Sequence, residues 1–281
     1  MRHIDLSQLY LPSEWFEHTT ELVKELSQMT AEERSKALSK ENYTLWRLLR
    51  KMLERISHGK CFYSDVESFG ANGEIDHFRP KLGVEAMDLA PGTTNEGYWF
   101  LAYLIDNLRF SSQWSNRKET IGGITYGKGT RFPLLDPSKR AAFAADLCNE
   151  KPLLLNPTSE EDVALLGFND AGEPEPSFAA KTDLDKKRVE ISIQVYRLGG
   201  QQINKKRGDL CLRAMELARK LDELEEEKPW DNNNRRKVIK TKIELYEMLQ
   251  PQAEFSSAVR YVLQQFSDLP SVQEVLSHSI N

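Results

Sequence analysis

The helical repeat of this chain stops at Gly59 and resumes only after Lys181, and that interruption is the strongest constraint on its fold. Leu45, Leu48, Leu49, Met52, Leu53 and Ile56 recur at three- and four-residue intervals, which is one apolar stripe on a helix. Asn42 is the expected N-cap and Gly59 the expected stop. An earlier helix is expected from Thr20 to Leu38, broken near Thr30. After Lys181 helices are expected over Leu184 to Leu198, Asn204 to Glu227, Arg235 to Leu249 and Phe255 to Phe266. Between these regions the pattern changes. KCFYSD (60–65) and GEIDHF (73–78) read as short extended segments around a loop containing Gly70 and Gly73, which suggests a hairpin. YWFLAYLI (98–105) is apolar enough to belong in the core. SSQWSNRKET (111–120) opens with serines and continues as a short helix. IGGITYGKGTRFP (121–133) reads as a surface hairpin or loop, and KPLLLNPTSEEDV (151–163) as a buried strand leading into a turn. The expected fold is mainly α with a small α+β core: a helical segment over 1–57, the core over 58–140, and a helical, partner-binding region over 141–281.

Bulk properties narrow the functional classes. A length of 281 residues suffices for one large domain or two modest ones. No apolar run is long enough to span a bilayer, the first fifteen residues lack the apolar stretch of a secretory signal, and no membrane partner is expected. Three widely spaced cysteines imply no disulfide framework, so a cytoplasmic protein is expected. Net charge is -5 and the pI about 5.7. Tight binding to nucleic acid usually needs an excess of basic residues, because phosphate neutralisation drives it. This chain therefore acts on something else or is helped to hold a polyanion. Its cations are unevenly placed: Arg79, Lys81, Arg109, Arg117 and Lys118 all fall near GEIDHFRPK.

Four residues carry the candidate chemistry. Phosphodiester hydrolysis needs a base to activate water and a cation to stabilise developing negative charge. A neutral His77 can be the base, and the adjacent Asp76 can hold a hard divalent ion. Neighbouring residues on a strand face opposite ways, so the two side chains can diverge to separate tasks. Asn116 can offer an amide oxygen to the same ion, and Asn107 can orient His77. Taken singly, each has a plainer reading: a surface histidine, a turn asparagine, a solvated helix asparagine. Gly122, Gly127 and Lys128 match most of a phosphate-binding loop, but Gly129 stands where serine or threonine is required, and no such nucleotide site is expected. The acidic run from Asp222 to Glu227 reads as a solvated helix face, and Trp99, Trp114 and Trp230 as packing anchors.

Taken together, KCFYSD, EIDHFRPK, GYWFLAYLIDNLRFSSQWSNRK, RFPLLDP, KPLLLNP and EFSSAVR resemble the HNH nucleases of the ββα-metal (His-Me finger) superfamily, with the PtuB-like subfamily of Septu and retron-linked bacterial defence systems the nearer match. The resemblance covers roughly residues 43 to 263. It implies a ββα-metal finger embedded between helical segments and a metal-dependent endonuclease acting in an antiviral complex. By position, His77 resembles the general base, Asp76 and Asn116 match the ligands of Mg²⁺ or Mn²⁺, and Asn107 matches the middle residue of the motif. Arg79 and Arg117 lie beside these positions and are expected to contact substrate phosphate. The implied partner is a PtuA-like ABC- or SMC-type ATPase, in some systems with a retron reverse transcriptase and its DNA. A non-catalytic scaffold subunit is the first alternative, and an RNA-directed nuclease, for instance on tRNA, the second.

One departure from the family pattern has a direct consequence. Many such nucleases carry two C-x-x-C pairs that bind structural zinc. Here the four positions are Cys61, Ser64, Ser112 and Ser115. A neutral hydroxyl is a poor zinc ligand, so no structural zinc is expected, and Phe62, Tyr63 and Trp114 would have to supply the missing staple by packing. Elemental analysis of the purified chain should find no zinc; one equivalent that disappears in Cys61→Ala would contradict this reading.

Overall fold

The structure is a computed structural model that describes residues 1–68, 73–93, 96–226 and 231–278. It is mainly helical, with three small two-stranded sheets. The N-terminal part holds α1 (Ser13–Ser27) and α2 (Ala31–Ala37), separated where expected. Thr30 makes the break: its hydroxyl accepts from the Glu33 amide, and the Glu33 carboxylate accepts from the Thr30 amide at 2.8 Å, a reciprocal cap. The apolar stripe beginning at Leu45 starts as a 3-10 turn and becomes α3 (Arg50–Ile56). Asn42 does not cap it and lies instead in a separate short turn, Glu41–Tyr43. Gly59 ends it as expected, its amide reaching back to the Glu54 carbonyl at 2.8 Å with φ +75.

The central region departs from the expected hairpin. KCFYSD does not pair with GEIDHF, and Gly70 lies outside the described residues. Instead β1 (Gly73–His77) pairs antiparallel with β2 (Leu108–Ser112), Asp76 opposite Arg109 and His77 opposite Leu108. A short helix, α4 (Gln113–Asn116), follows β2 directly, with the Ser112 hydroxyl accepting from the Ser115 amide. This is a β-β-α arrangement whose strands are far apart in sequence. KCFYSD forms a tight knuckle docked on β2. Lys60 bridges to Glu67, and the Phe62 amide bonds the Phe110 carbonyl at 2.9 Å. A buried ion pair closes the knuckle: Lys60 Nζ lies 2.7 Å from Asp65. Lys60 also donates to the Ala253 carbonyl at 2.7 Å, and Ser257 donates to Asp65, so the far end of the chain holds the knuckle shut.

The glycine-rich stretch folds as expected into a hairpin, β3 (Glu119–Ile121) and β4 (Ile124–Tyr126), turned by Gly122 and Gly123. The expected strand in KPLLLNP is absent. Leu153, Leu154 and Leu155 are buried, but only a single bridge, Leu134 to Pro152, links that segment to the hairpin's exit. After α5 (Glu160–Ala164), a hairpin not foreseen in the sequence, β5 (Leu166–Phe168) with β6 (Pro174–Pro176), precedes the C-terminal helices. These are α6 (Asp183–Val195), α7 (Gln201–Glu226), α8 (Asn232–Leu249), α9 (Ser256–Leu263) and α10 (Pro270–His278). The first four match expectation in place, and α10 is an addition. Asp222, Glu223, Glu225 and Glu226 are exposed on α7, as read from the sequence, while Glu227 and Trp230 lie outside the described residues. No described helix is long and apolar enough to cross a membrane.

The ββα unit sits between two apolar clusters. One joins the N-terminal helices to Phe62, Trp99, Tyr103, Leu108 and Phe110. The other joins Tyr63, Phe78, Tyr98 and Phe132 to the C-terminal helices. Strand alternation distributes the two sides. Ile75 packs on the first cluster and His77 meets Trp46 there, whereas Asp76 faces the opposite side. Phe110 is fully buried at the centre of this arrangement. Phe110→Ala should therefore cost about 3–5 kcal/mol, read as a lowered urea midpoint with an unchanged slope. A loss under about 1 kcal/mol would mean that β2 is not held by this cluster.

Candidate active site

Strand β1 ends on His77, and the chain's geometry fixes the state of that ring. His77 is 4% exposed, and Trp46 stands edge-on to it with ring centroids 4.9 Å apart. Its Nε2 lies 3.0 Å from the Ala102 carbonyl oxygen. A carbonyl only accepts, so Nε2 carries the proton and Nδ1 keeps its lone pair. Burial pushes the His77 pKa well below its ordinary value, and the nearby Lys81 and Lys128 charges push the same way. The ring is therefore neutral at physiological pH.

The Asn107 side chain bonds to the backbone and not to the His77 ring. Its Oδ1 accepts from the Arg79 amide at 2.7 Å, and its Nδ2 donates to the Arg79 and Leu101 carbonyls at 2.9 and 3.3 Å. It thus ties the segment leaving β1 to the residue preceding Ala102, the acceptor of His77. The expected side-chain contact between Asn107 and His77 is therefore not made; Asn107 instead links the backbone at Arg79 to that at Leu101.

Asp76 lies on the other face of β1, 6% exposed. Tyr63 donates to its Oδ2 at 2.5 Å, and Lys128 Nζ lies 3.0 Å from Oδ2 and 3.2 Å from Oδ1. Lys128 also donates to the His77 carbonyl at 2.8 Å and is itself fully buried. The Asp76 carboxylate thus already has a cation on both oxygens. Asn116 offers a different picture: its Nδ2 donates to Glu74 at 3.1 Å, while its Oδ1 is buried without a hydrogen-bond partner. The Asn116 oxygen suits a metal ligand, but Asp76, neutralised by Lys128, does not. As a pair they do not fit Mg²⁺ or Mn²⁺ in this arrangement.

The two arginines expected at phosphate are engaged with carboxylates. Arg79 pairs with the buried Glu150 at 2.9 Å and lies over the Phe132 ring. Arg117 is exposed and pairs with Glu74. Lys118 pairs with Glu85, and Arg109 is buried, donating to Asn156 and Thr158. The basic cluster seen in the sequence is thus largely consumed internally. Trp99 is buried beneath Arg34, and Trp114 stacks on the Arg197 guanidinium at 3.4 Å while remaining 40% exposed.

The four zinc-pattern positions do come together. Cys61, Ser64, Ser112 and Ser115 are all buried, and the Ser112 and Ser115 hydroxyls are 3.3 Å apart. Burial opposes ionisation of the Cys61 thiol, but hydrogen bonds from Ser64 and Ser112 outweigh it and hold its pKa below the ordinary value. Of the residues expected to replace a staple, Phe62 and Tyr63 are buried, and Tyr63 stacks on Tyr196 at 4.0 Å. The Lys60–Asp65 pair that closes the knuckle was not foreseen.

Sequence reasoning placed Lys81 only in a basic cluster and Lys128 only in a rejected phosphate loop, and gave neither a role at this site. Lys81 lies over the Trp46 ring at 4.6 Å, beside His77. Burial lowers its pKa from 10.5 to about 8, with Asp76 opposing the shift and Lys128 adding to it. At pH below about 8 both folded and unfolded chains carry this charge, and its burial weighs fully against folding. Between about pH 8 and 10.5 the unfolded chain holds a proton that the folded one has released, so the penalty fades as pH rises. The stability of Lys81→Met relative to wild type should accordingly be greatest near neutral pH and decline across that window, read by urea unfolding at several pH values. A difference independent of pH would contradict the placement.

No family model matches the chain. Septu protein PtuB of Bacillus mycoides (strain KBAB4) is 30% identical over 164 residues, which are 58% of this chain and 50% of that protein. The chain spans about half the length of the curated relative it matches. A Septu protein PtuB is therefore what this chain is similar to.

Proposed function

We propose that the chain is a hydrolase of nucleic-acid phosphodiester bonds and the effector subunit of a Septu-type antiviral defence complex. The observation that carries the reading is the state of His77. Its Nε2–H is committed to the Ala102 carbonyl, which leaves Nδ1 as an available base in a neutral ring at the end of β1. A base so oriented removes a proton from water attacking phosphorus. The β-β-α placement around it and the similarity to a Septu PtuB support the same reading.

The closed state of the site supports control by a partner. His77 is buried against Trp46, whose ring carries Lys81 on its face, so phosphate reaches the base only after this packing shifts. The net charge of -5 also suits a subunit whose polyanionic substrate is delivered by another protein. An ATPase of the PtuA type is the proposed partner, with a retron reverse transcriptase and its DNA as a further component in some systems. Lys81, beside His77 and without a carboxylate ion-pair partner among the described residues, is a cation that can receive phosphate. The same chemistry serves DNA and RNA.

The test is cleavage by the chain reconstituted with its partner ATPase, on duplex DNA, single-stranded DNA and tRNA, with Mg²⁺, with Mn²⁺ and with neither. Loss of a general base commonly lowers the rate about 10²–10⁴-fold. His77→Gln keeps a donor for the Ala102 carbonyl but no comparable base, and should show that loss with an unchanged circular dichroism spectrum. His77→Ala should lose at least as much. Cleavage by both variants at the wild-type rate would replace the hydrolase reading by that of a scaffold subunit.

A further inference from the structure

The ammonium of Lys128 occupies the place on Asp76 where the family resemblance puts a divalent ion. Three acceptors surround it: both Asp76 oxygens, at 3.0 and 3.2 Å, and the His77 carbonyl at 2.8 Å. That matches the three protons of an ammonium, so none is left over. Tyr63 satisfies the carboxylate further, at 2.5 Å from Oδ2.

The backbone that delivers Lys128 is equally specific. Its amide bonds the Ser115 carbonyl at 2.9 Å, and the Gly129 amide bonds the Asn116 carbonyl at 2.7 Å. The lysine is thereby hung from the end of α4, the helix that carries Asn116. Gly127, at φ +86, lies so close to this helix end that a Cβ would meet the Arg117 carbonyl oxygen at 2.0 Å. Gly129 is also left-handed, at φ +50. GKG is therefore a fitted seat for the lysine and not a phosphate-binding loop.

We propose that Lys128 is the resident cation of this site, holding Asp76 and the His77 backbone in place, so that Asp76 is not a ligand of a divalent ion. In this role Lys128 positions His77 and does not itself touch substrate. The proposal deepens the hydrolase reading and rests on it for its meaning, but it is tested by ion occupancy and not by cleavage, so the two fail separately.

The experiment is titration with Mn²⁺ followed by the electron paramagnetic resonance of the free ion, on the full chain and three variants. Wild type and Asp76→Asn should give the same curve. Lys128→Met frees the Asp76 carboxylate and should gain one site at least about tenfold tighter than any in wild type, equivalent to about 1.4 kcal/mol. That site should vanish in Lys128→Met with Asp76→Asn. The proposal is overturned if wild type binds one Mn²⁺ at least tenfold more tightly than Asp76→Asn does. It is equally overturned if folded Lys128→Met gains no Asp76-dependent site, because Asp76 is then no cation seat at all. Should the variants fail to fold, wild type alone decides. The ¹⁵Nζ resonance of Lys128 should stay unchanged in saturating Mg²⁺, and its displacement would refute the assignment.

Discussion

The contact between Lys128 and Asp76 is the one on which the arrangement around His77 depends. A carboxylate removed from water needs a cation and hydrogen bonds, or it does not stay ionised. Here the cation comes from the exit of the β3–β4 hairpin, and a hydroxyl comes from the KCFYSD knuckle through Tyr63. The lysine simultaneously holds the carbonyl of His77. Three segments separated in sequence thus converge on one strand end. Breaking a buried pair by removing one partner typically costs about 3–5 kcal/mol, since the other charge is left stranded. The pair therefore couples the shape of the ββα unit to the exact placement of the histidine backbone.

The two faces of β1 then divide the labour. His77 looks toward the N-terminal cluster, where burial and the Ala102 carbonyl set its protonation and tautomer. Asp76 looks toward the C-terminal side, where charge is neutralised and packed beneath Tyr63 and Tyr196. Asn107 secures the backbone linking the two. A histidine in this setting is neutral because water is excluded from it.

Much of this could be read from the sequence, and the failures have physical causes. Apolar spacing located the helices because their burial is one-sided and periodic, as in α8 and the stripe ending at Ile56. Thr30 and Gly59 acted as boundaries because capping is local chemistry. The partner of β1 was misread because a hairpin is the nearest solution, whereas GEIDH pairs with a strand some thirty residues away that carries no local mark of the choice. Asp76 and His77 close β1 and Asn107 ties the backbone leaving it, while Asn116 bonds Glu74 near the start of the strand; their sequence spacing gave no sign that Asp76 was already paired with Lys128. Lys128 was overlooked because a glycine-flanked lysine was weighed only as a phosphate loop, and its true acceptors lie fifty residues away. The Lys60–Asp65 pair was missed for a related reason: two charges in a short segment usually face water, and only the closed fold shows that these do not.

The closure of that knuckle reaches 193 residues along the chain, from Lys60 to the carbonyl of Ala253. Ribosomes add about 5–20 residues per second. The knuckle beneath Tyr63 thus waits about 10–40 s, after its own residues are made, for the segment that locks it. Until then Tyr63, which donates to Asp76, stands on a knuckle that is not yet locked. A nascent chain thus carries every side chain around His77 well before the segment that closes the knuckle under Tyr63 is made.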